Sequence, residues 1–133
     1  MNMAQLYPLL AVFIGGGVGS VLRWQMALLF NPQLKYLPLG TLLVNLIGGY
    51  LIGVASIWFV ERSGLPPELR LLVITGFLGG LTTFSSFSSE VMTQMFRGQF
   101  GWALLTLLLH VGGSLTLTAL GMWSGRFLFS SAG

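Results

Sequence analysis

The apolar residues of this chain run together in four long stretches, and the polar ones collect in three short gaps. The gaps are NPQLKY after Phe30, ERSGLPPELR after Val60, and the turn Arg97-Gly98-Gln99. Between them lie apolar segments at about Leu6 to Phe30, Leu37 to Val60, Leu71 to Phe96 and Phe100 to Phe129. A helix needs ~20 mostly apolar residues to cross the hydrocarbon core, and each segment is long enough. The pattern predicts an all-α membrane protein with four transmembrane helices in one domain over residues 1–133. Asn31-Pro32 stops the first helix, and Pro66-Pro67 precedes the third. The N-terminal MNMAQLYPLL has neither a basic region nor a small-residue cleavage pattern, so the first apolar run reads as a retained span rather than a signal peptide.

Composition sharpens this picture. Hydrophobic residues make up 54% of the chain and charged residues 7%, against roughly 25% charged in a soluble domain. With no cysteine, no aspartate and one histidine, His110, disulfide frameworks, the common metal clusters and a Ser-His-Asp triad lack raw material. Enzyme readings are therefore weak. The net charge of +3 comes from singly scattered residues, which is no nucleic-acid patch. Trp24, Trp58, Trp102 and Trp123 fall near span ends, as interfacial anchors do.

Charge also bears on orientation, because cytoplasmic loops carry the Lys/Arg excess. The side with both termini and the second loop has Arg62, Arg70 and Arg126; the other has Lys35 and Arg97, with Arg23 nearby. The bias is almost nil. Such a chain either inserts both ways, so that two copies pair as an antiparallel homodimer, or adopts one weakly specified orientation.

Glycine is abundant, with 19 residues, and small residues mark helix contacts in lipid. Gly15-Gly16-Gly17 with Gly19, Gly48-Gly49 with Gly53, Gly112-Gly113, and Gly121 with Gly125 all read as packing faces. GGGVGS matches neither a dinucleotide fingerprint nor a P-loop.

Packing does not explain GFLGGLTTFSSFSSE, Gly76 to Glu90. Six hydroxyl residues, Thr82, Thr83, Ser85, Ser86, Ser88 and Ser89, fall within eight positions and are interrupted only by Phe84 and Phe87. Residues three apart share a helix face, so Ser85 with Ser88 and Phe84 with Phe87 form neighbouring stripes. Gly79-Gly80 before Thr82-Thr83 predicts a broken third helix. Irregular backbone at membrane depth is tolerated where protein buries it or where it lines a cavity, and carbonyls freed at such breaks suit cations. Asn45 adds a side-chain amide in the second span, read either as a helix-helix hydrogen bond or as a donor to an anion. Arg23 is read as snorkelling or drawing anions, Glu90 as a cap on the hydroxyl network or a group near water, and His110 as a neutral helix contact or a proton relay. Donors abound while acids are nearly absent from the spans, and the positive ring edges of Phe84 and Phe87 suit a small anion. The balance favours an anion without selecting fluoride over chloride.

Taken together, GGGVGSVLRW, GTLLVNLIGGYLIG, GFLGGLTTFSSFSSE and HVGGS resemble the Fluc family of fluoride channels over essentially the whole chain. The resemblance implies a dual-topology antiparallel homodimer in the bacterial inner membrane. It would carry two fluoride pores and a structural sodium ion at the dimer interface, with no protein partner required beyond the second copy. Phe84 and Phe87 match the pore phenylalanines, Asn45 the pore asparagine and Arg23 the vestibule arginine. Gly79 and Thr82 match positions whose backbone carbonyls bind sodium, while Thr41, Ser85, Ser88, Glu90 and Ser114 resemble the polar track and its surroundings. The implied function is passive fluoride export that relieves fluoride toxicity. Two rivals remain: a proton-coupled transporter, which needs a membrane-embedded acid, and a purely structural membrane subunit.

Overall fold

A computed structural model describes residues 2–130. Among these residues are four helical spans long and apolar enough to cross a membrane, Met3–Gln33, Leu39–Glu61, Pro67–Phe96 and Phe100–Phe129. The first contains α1 (Met3–Phe30) and ends in a short 3₁₀ turn at Asn31–Gln33. The second is α2 (Leu39–Glu61). The third comprises α3 (Pro67–Arg70), a π-helical stretch Leu71–Leu78, α4 (Gly79–Leu81) and α5 (Phe84–Phe96). The fourth runs from α6 (Phe100–Leu107) through a second π-helical stretch, Leu108–Gly112, into α7 (Gly113–Phe129).

Local chemistry explains the helix ends. The Asn2 side chain accepts from the Gln5 N–H at 3.1 Å while Gln5 returns a bond to the Asn2 N–H, a capping box that serves two otherwise orphaned donors. Pro67 stands in the first turn of α3, where its missing N–H costs nothing. After α5, Gly98 takes φ 71°, and the Gln99 and Gly98 N–H groups return to the Gln94 and Met95 carbonyls, each at 2.9 Å. This crossed pair is a Schellman turn, which calls for a left-handed residue. It turns the third span tightly into the fourth.

Two glycine seams organise the bundle. In the first, α1 lies against the π-helical part of the third span. A Cβ at Gly15 would strike the Leu72 carbonyl, and one at Gly19 the Phe77 carbonyl. In the second, α2 lies against α7, where a Cβ at Gly53 would meet the Thr118 carbonyl and one at Gly121 the Tyr50 carbonyl. Backbone contact this close is how helices associate when lipid removes the hydrophobic drive between them. The apolar interior is correspondingly small: Val44, Leu78 and Leu81 form one buried cluster, and Phe87, Val91 and Ala103 another. Large apolar side chains such as Phe13, Phe96, Trp123 and Phe127 are exposed, as a lipid-facing surface requires.

The seams predict a sharp contrast within one helix. Gly19→Ala forces a methyl group into rigid backbone, and overpacking of this kind costs about 1–3 kcal/mol or more. A Cβ at Gly17 would meet nothing within 4 Å, so Gly17→Ala should be neutral. Thermal unfolding of both variants in detergent checks this, with a lowered midpoint expected for Gly19→Ala alone.

Candidate functional site

Helical backbone stops at Leu81 and resumes at Phe84. Thr82 (φ −84°, ψ 155°) and Thr83 (φ −149°, ψ 116°) are extended, a conformation that β-branched residues favour. Two extended residues inside an apolar span leave backbone groups without helical partners, and each would be costly in lipid. Side chains from three directions serve them. Asn45 on α2 accepts from the Thr83 N–H at 2.7 Å and donates to the Thr83 carbonyl at 2.9 Å, so its amide pairs with Thr83 as a second peptide would. Arg23 on α1 donates from Nε to the Gly80 carbonyl at 2.9 Å. The Thr83 hydroxyl accepts from the Ser86 N–H at 3.1 Å, which caps α5.

The fourth span fixes Asn45 in turn. Its Nδ2 lies 3.0 Å from His110 Nδ1. Because Oδ1 takes the Thr83 N–H, Nδ2 must face His110 as the donor; Nδ1 then accepts and the ring proton sits on Nε2. The buried His110 ring stacks on Phe87, centroids 4.6 Å apart at 23°. Phe87 meets Phe84 edge-on, 5.5 Å apart at 71°. Phe87 is 5% exposed and Phe84 77%, so the pair runs from the protein interior to the surface.

A cavity of about 430 Å³ opens beside this arrangement and is lined by Asn45, Gly79, Thr82, Phe84, Phe87 and Ser114, among others. Six of the sequence-derived site residues thus share one space. The remaining five lie elsewhere. Ser85 is exposed, and Ser88 turns its hydroxyl onto the Phe84 carbonyl at 2.9 Å. Arg23 holds Gly80. Thr41 donates to Glu90 Oε1 at 2.6 Å, and Glu90 lines a second cavity, of about 210 Å³, with Lys35 and Arg97.

Three residues outside that set matter here. Thr83 is both helix cap and pairing partner of Asn45; a threonine ahead of a helical stretch, as N-cap, was the available signal. His110 joins Asn45 to Phe87, a meeting that sequence separation hides. Gln94, buried on α5, donates to the Tyr36 carbonyl at 2.8 Å and to the Thr106 hydroxyl at 3.0 Å. As a lone amide in a span it carried a weak signal. The two Asn45 donor positions are already engaged with Thr83 and His110, so in this conformation the residue works first as a clamp.

Comparison with known proteins follows the same direction. Residues 10–122 match the family described as CrcB-like protein, Camphor Resistance (CrcB). A Burkholderia ambifaria protein named fluoride-specific ion channel FluC is 60% identical over 126 residues, covering 95% of this chain and 98% of that protein. Proteins of the same name from Burkholderia cenocepacia (strain HI2424) and Burkholderia vietnamiensis are 57% and 56% identical, covering 95% and 96% of this chain and 98% and 100% of their own lengths.

The clamp makes its own prediction. Asn45→Leu keeps the approximate volume and removes the hydrogen bonds that the Asn45 side chain makes with Thr83 and His110. Hydrogen exchange at the Thr83 amide should accelerate at least about tenfold, given a net contribution near 1 kcal/mol for each bond, with exchange in α7 unchanged. Unaltered protection at Thr83 would mean that the extended pair is held by something else.

Proposed function

The chain belongs to the CrcB-like family, and from that premise we propose that it is a fluoride-selective channel through which fluoride leaves the cytoplasm passively, relieving its toxicity. Proteins named as ion channels carry ions across membranes and are not enzymes, and the full-length similarity to them supports the same class here. The observation that carries the reading is the meeting of Phe84 and Phe87, edge to face, with Asn45, Thr82 and Ser114 around one cavity. A ring edge is the positive part of the aromatic quadrupole, so the ring edges offset water lost from a small anion directly, while the Asn45 amide and the Thr82 hydroxyl would meet it only by giving up an internal bond. Thr41, Ser85, Ser88 and Glu90 belong to the approach to this route, and Arg23 supplies a positive charge beside it.

The finer reading is a pair of oppositely oriented copies in the inner membrane, with two pores and a sodium ion between them. The near absence of charge bias supports dual topology. The exposed Phe84 ring and the open cavity beside it supply a surface for a second copy to complete. For sodium, a hard cation that oxygen ligands suit, the donors would be the Gly79 and Thr82 carbonyls. The residues fit: the Thr83 N–H is turned to Asn45, away from the helical position where it would meet the Gly79 carbonyl. Arg23 takes the neighbouring Gly80 carbonyl; in this reading the Gly79 and Thr82 carbonyls would face the ion.

Fluoride efflux from liposomes holding the purified protein, read with a fluoride electrode under valinomycin and potassium, tests the reading. Fast efflux that excludes chloride is expected. Phe84→Ile and Phe87→Ile should each lower it about tenfold or more, the scale of one aromatic contact of ~1.4 kcal/mol, while the dimer persists. Flux that requires a proton gradient would point to a coupled transporter instead. Dual topology is tested by adding lysines to a single loop: activity should fall as one orientation is forced and return when oppositely biased variants are mixed. Full activity from one forced orientation would overturn the antiparallel pair.

A further inference from the structure

The second cavity, near Lys35 and Arg97, contains a mismatch of donors and acceptors. Gln94 Nε2 donates to the Tyr36 carbonyl and to Thr106 Oγ1. Thr106 has already given its own proton to the Trp102 carbonyl at 2.8 Å. Both neighbours of Nε2 therefore accept, the amide cannot be flipped, and Oε1 is fixed as an acceptor. That oxygen is buried and has no hydrogen-bond partner among the described residues. One helical turn earlier on the same face, Glu90 presents the same problem. Its Oε1 accepts from Thr41, whose hydroxyl in turn accepts from Asn31 Nδ2 at 3.3 Å. Its Oε2 is buried and without a hydrogen-bond partner among the described residues.

Two acceptors on successive turns, both sealed from a water-sized sphere, need a donor that is already present. The charged and titratable groups lining the same cavity are Lys35, Tyr36 and Arg97. Lys35 and Arg97 are exposed, and Lys35 Nζ lies 5.0 Å above the Tyr36 ring. Their charges are therefore largely solvated. An ionised carboxylate with one oxygen buried and unpaired is among the most costly arrangements in a protein interior.

We propose that Glu90 is a neutral carboxylic acid in the folded protein: Oε1 is its carbonyl oxygen, held by Thr41, and Oε2 carries a proton that it offers to Gln94 Oε1. One proton then resolves both unpaired oxygens, and Asn31, Thr41, Glu90 and Gln94 form a continuous donor chain across the α1–α2 connection, α2 and α5. The consequence for permeation rests on the fluoride-channel reading above: a carboxyl that this reading puts on the approach would place no fixed negative charge before an entering anion. The assignment of the proton itself does not depend on that reading.

Infrared spectroscopy of the reconstituted protein tests it directly, because an un-ionised carboxyl absorbs at a frequency distinct from a carboxylate. The chain has three acidic side chains, Glu61, Glu68 and Glu90. At neutral pH an acid carbonyl band is expected in the unmodified protein. It should disappear in Glu90→Gln and persist in Glu61→Gln and Glu68→Gln. In Gln94→Leu, which removes the acceptor, the band should move to higher frequency. Absence of the band from the unmodified protein, or its survival in Glu90→Gln, would overturn the proposal; an unmoved band in Gln94→Leu would remove Gln94 as the acceptor. A protein that shows the band yet carries no fluoride would uphold this assignment while sinking the channel reading, and the reverse pairing would do the opposite.

Discussion

Unpaired peptide groups at membrane depth are the constraint on which the rest of this structure depends. Lipid offers them no hydrogen bonds, so a span that leaves helical geometry must be supplied from its own protein. At Thr82 and Thr83 the supply comes from α1 through Arg23, from α2 through Asn45, and indirectly from the fourth span through His110. Each donor lies tens of residues from its acceptor in sequence. The extended pair is consequently a property of the assembled bundle. Thr83 also caps α5 with its own hydroxyl, which allows the second half of the span to begin afresh without a long loop.

Close backbone packing makes this convergence possible. The glycine seam between α1 and the third span brings Arg23 within reach of Gly80, and the seam between α2 and α7 holds Asn45 beside His110. Larger residues on these faces would separate the helices by more than a side-chain hydrogen bond spans. The glycines thus position polar groups as well as join helices, so the two roles cannot be assigned to separate sets of residues. The π-helical stretch Leu71–Leu78 is separated from the extended pair only by the short α4, and Leu108–Gly112 surrounds His110. Such windings often accompany functional sites because they re-aim side chains within a continuous helix.

Much of this was legible from residue order. Four apolar runs gave four spans. The motifs in all four segments gave the family, which full-length similarity establishes. Less legible were the partners. Asn45 could be read as a donor to an anion or as a helix contact, and sequence spacing holds no information about which carbonyl it faces across 38 positions. The hydroxyl run was also less uniform than its composition suggests. Ser88 satisfies itself on its own helix and Ser85 faces outward, whereas Thr83 bonds in several directions. π-Helical winding leaves no residue signature comparable to a cap or a proline, and it emerged only from the backbone.

The division of polar groups between holding the fold and meeting an ion follows from how many hydrogen bonds each has left to give. Asn45 has both its donor positions occupied, Thr82 returns its hydroxyl to the Leu78 carbonyl at 2.8 Å, and Gln94 is saturated on its donor side. An ion that takes over one of these donors must displace an internal bond, so its gain is the difference between two hydrogen bonds rather than the whole of one. Ring edges are different, because the Phe84 and Phe87 edges give up no hydrogen bond when an anion approaches. In the proposed channel they can therefore offset dehydration without loosening the clamp around Thr83. This gives a physical reason for aromatic rings to stand beside a hydroxyl-rich break: the polar groups there are committed first to keeping the backbone satisfied.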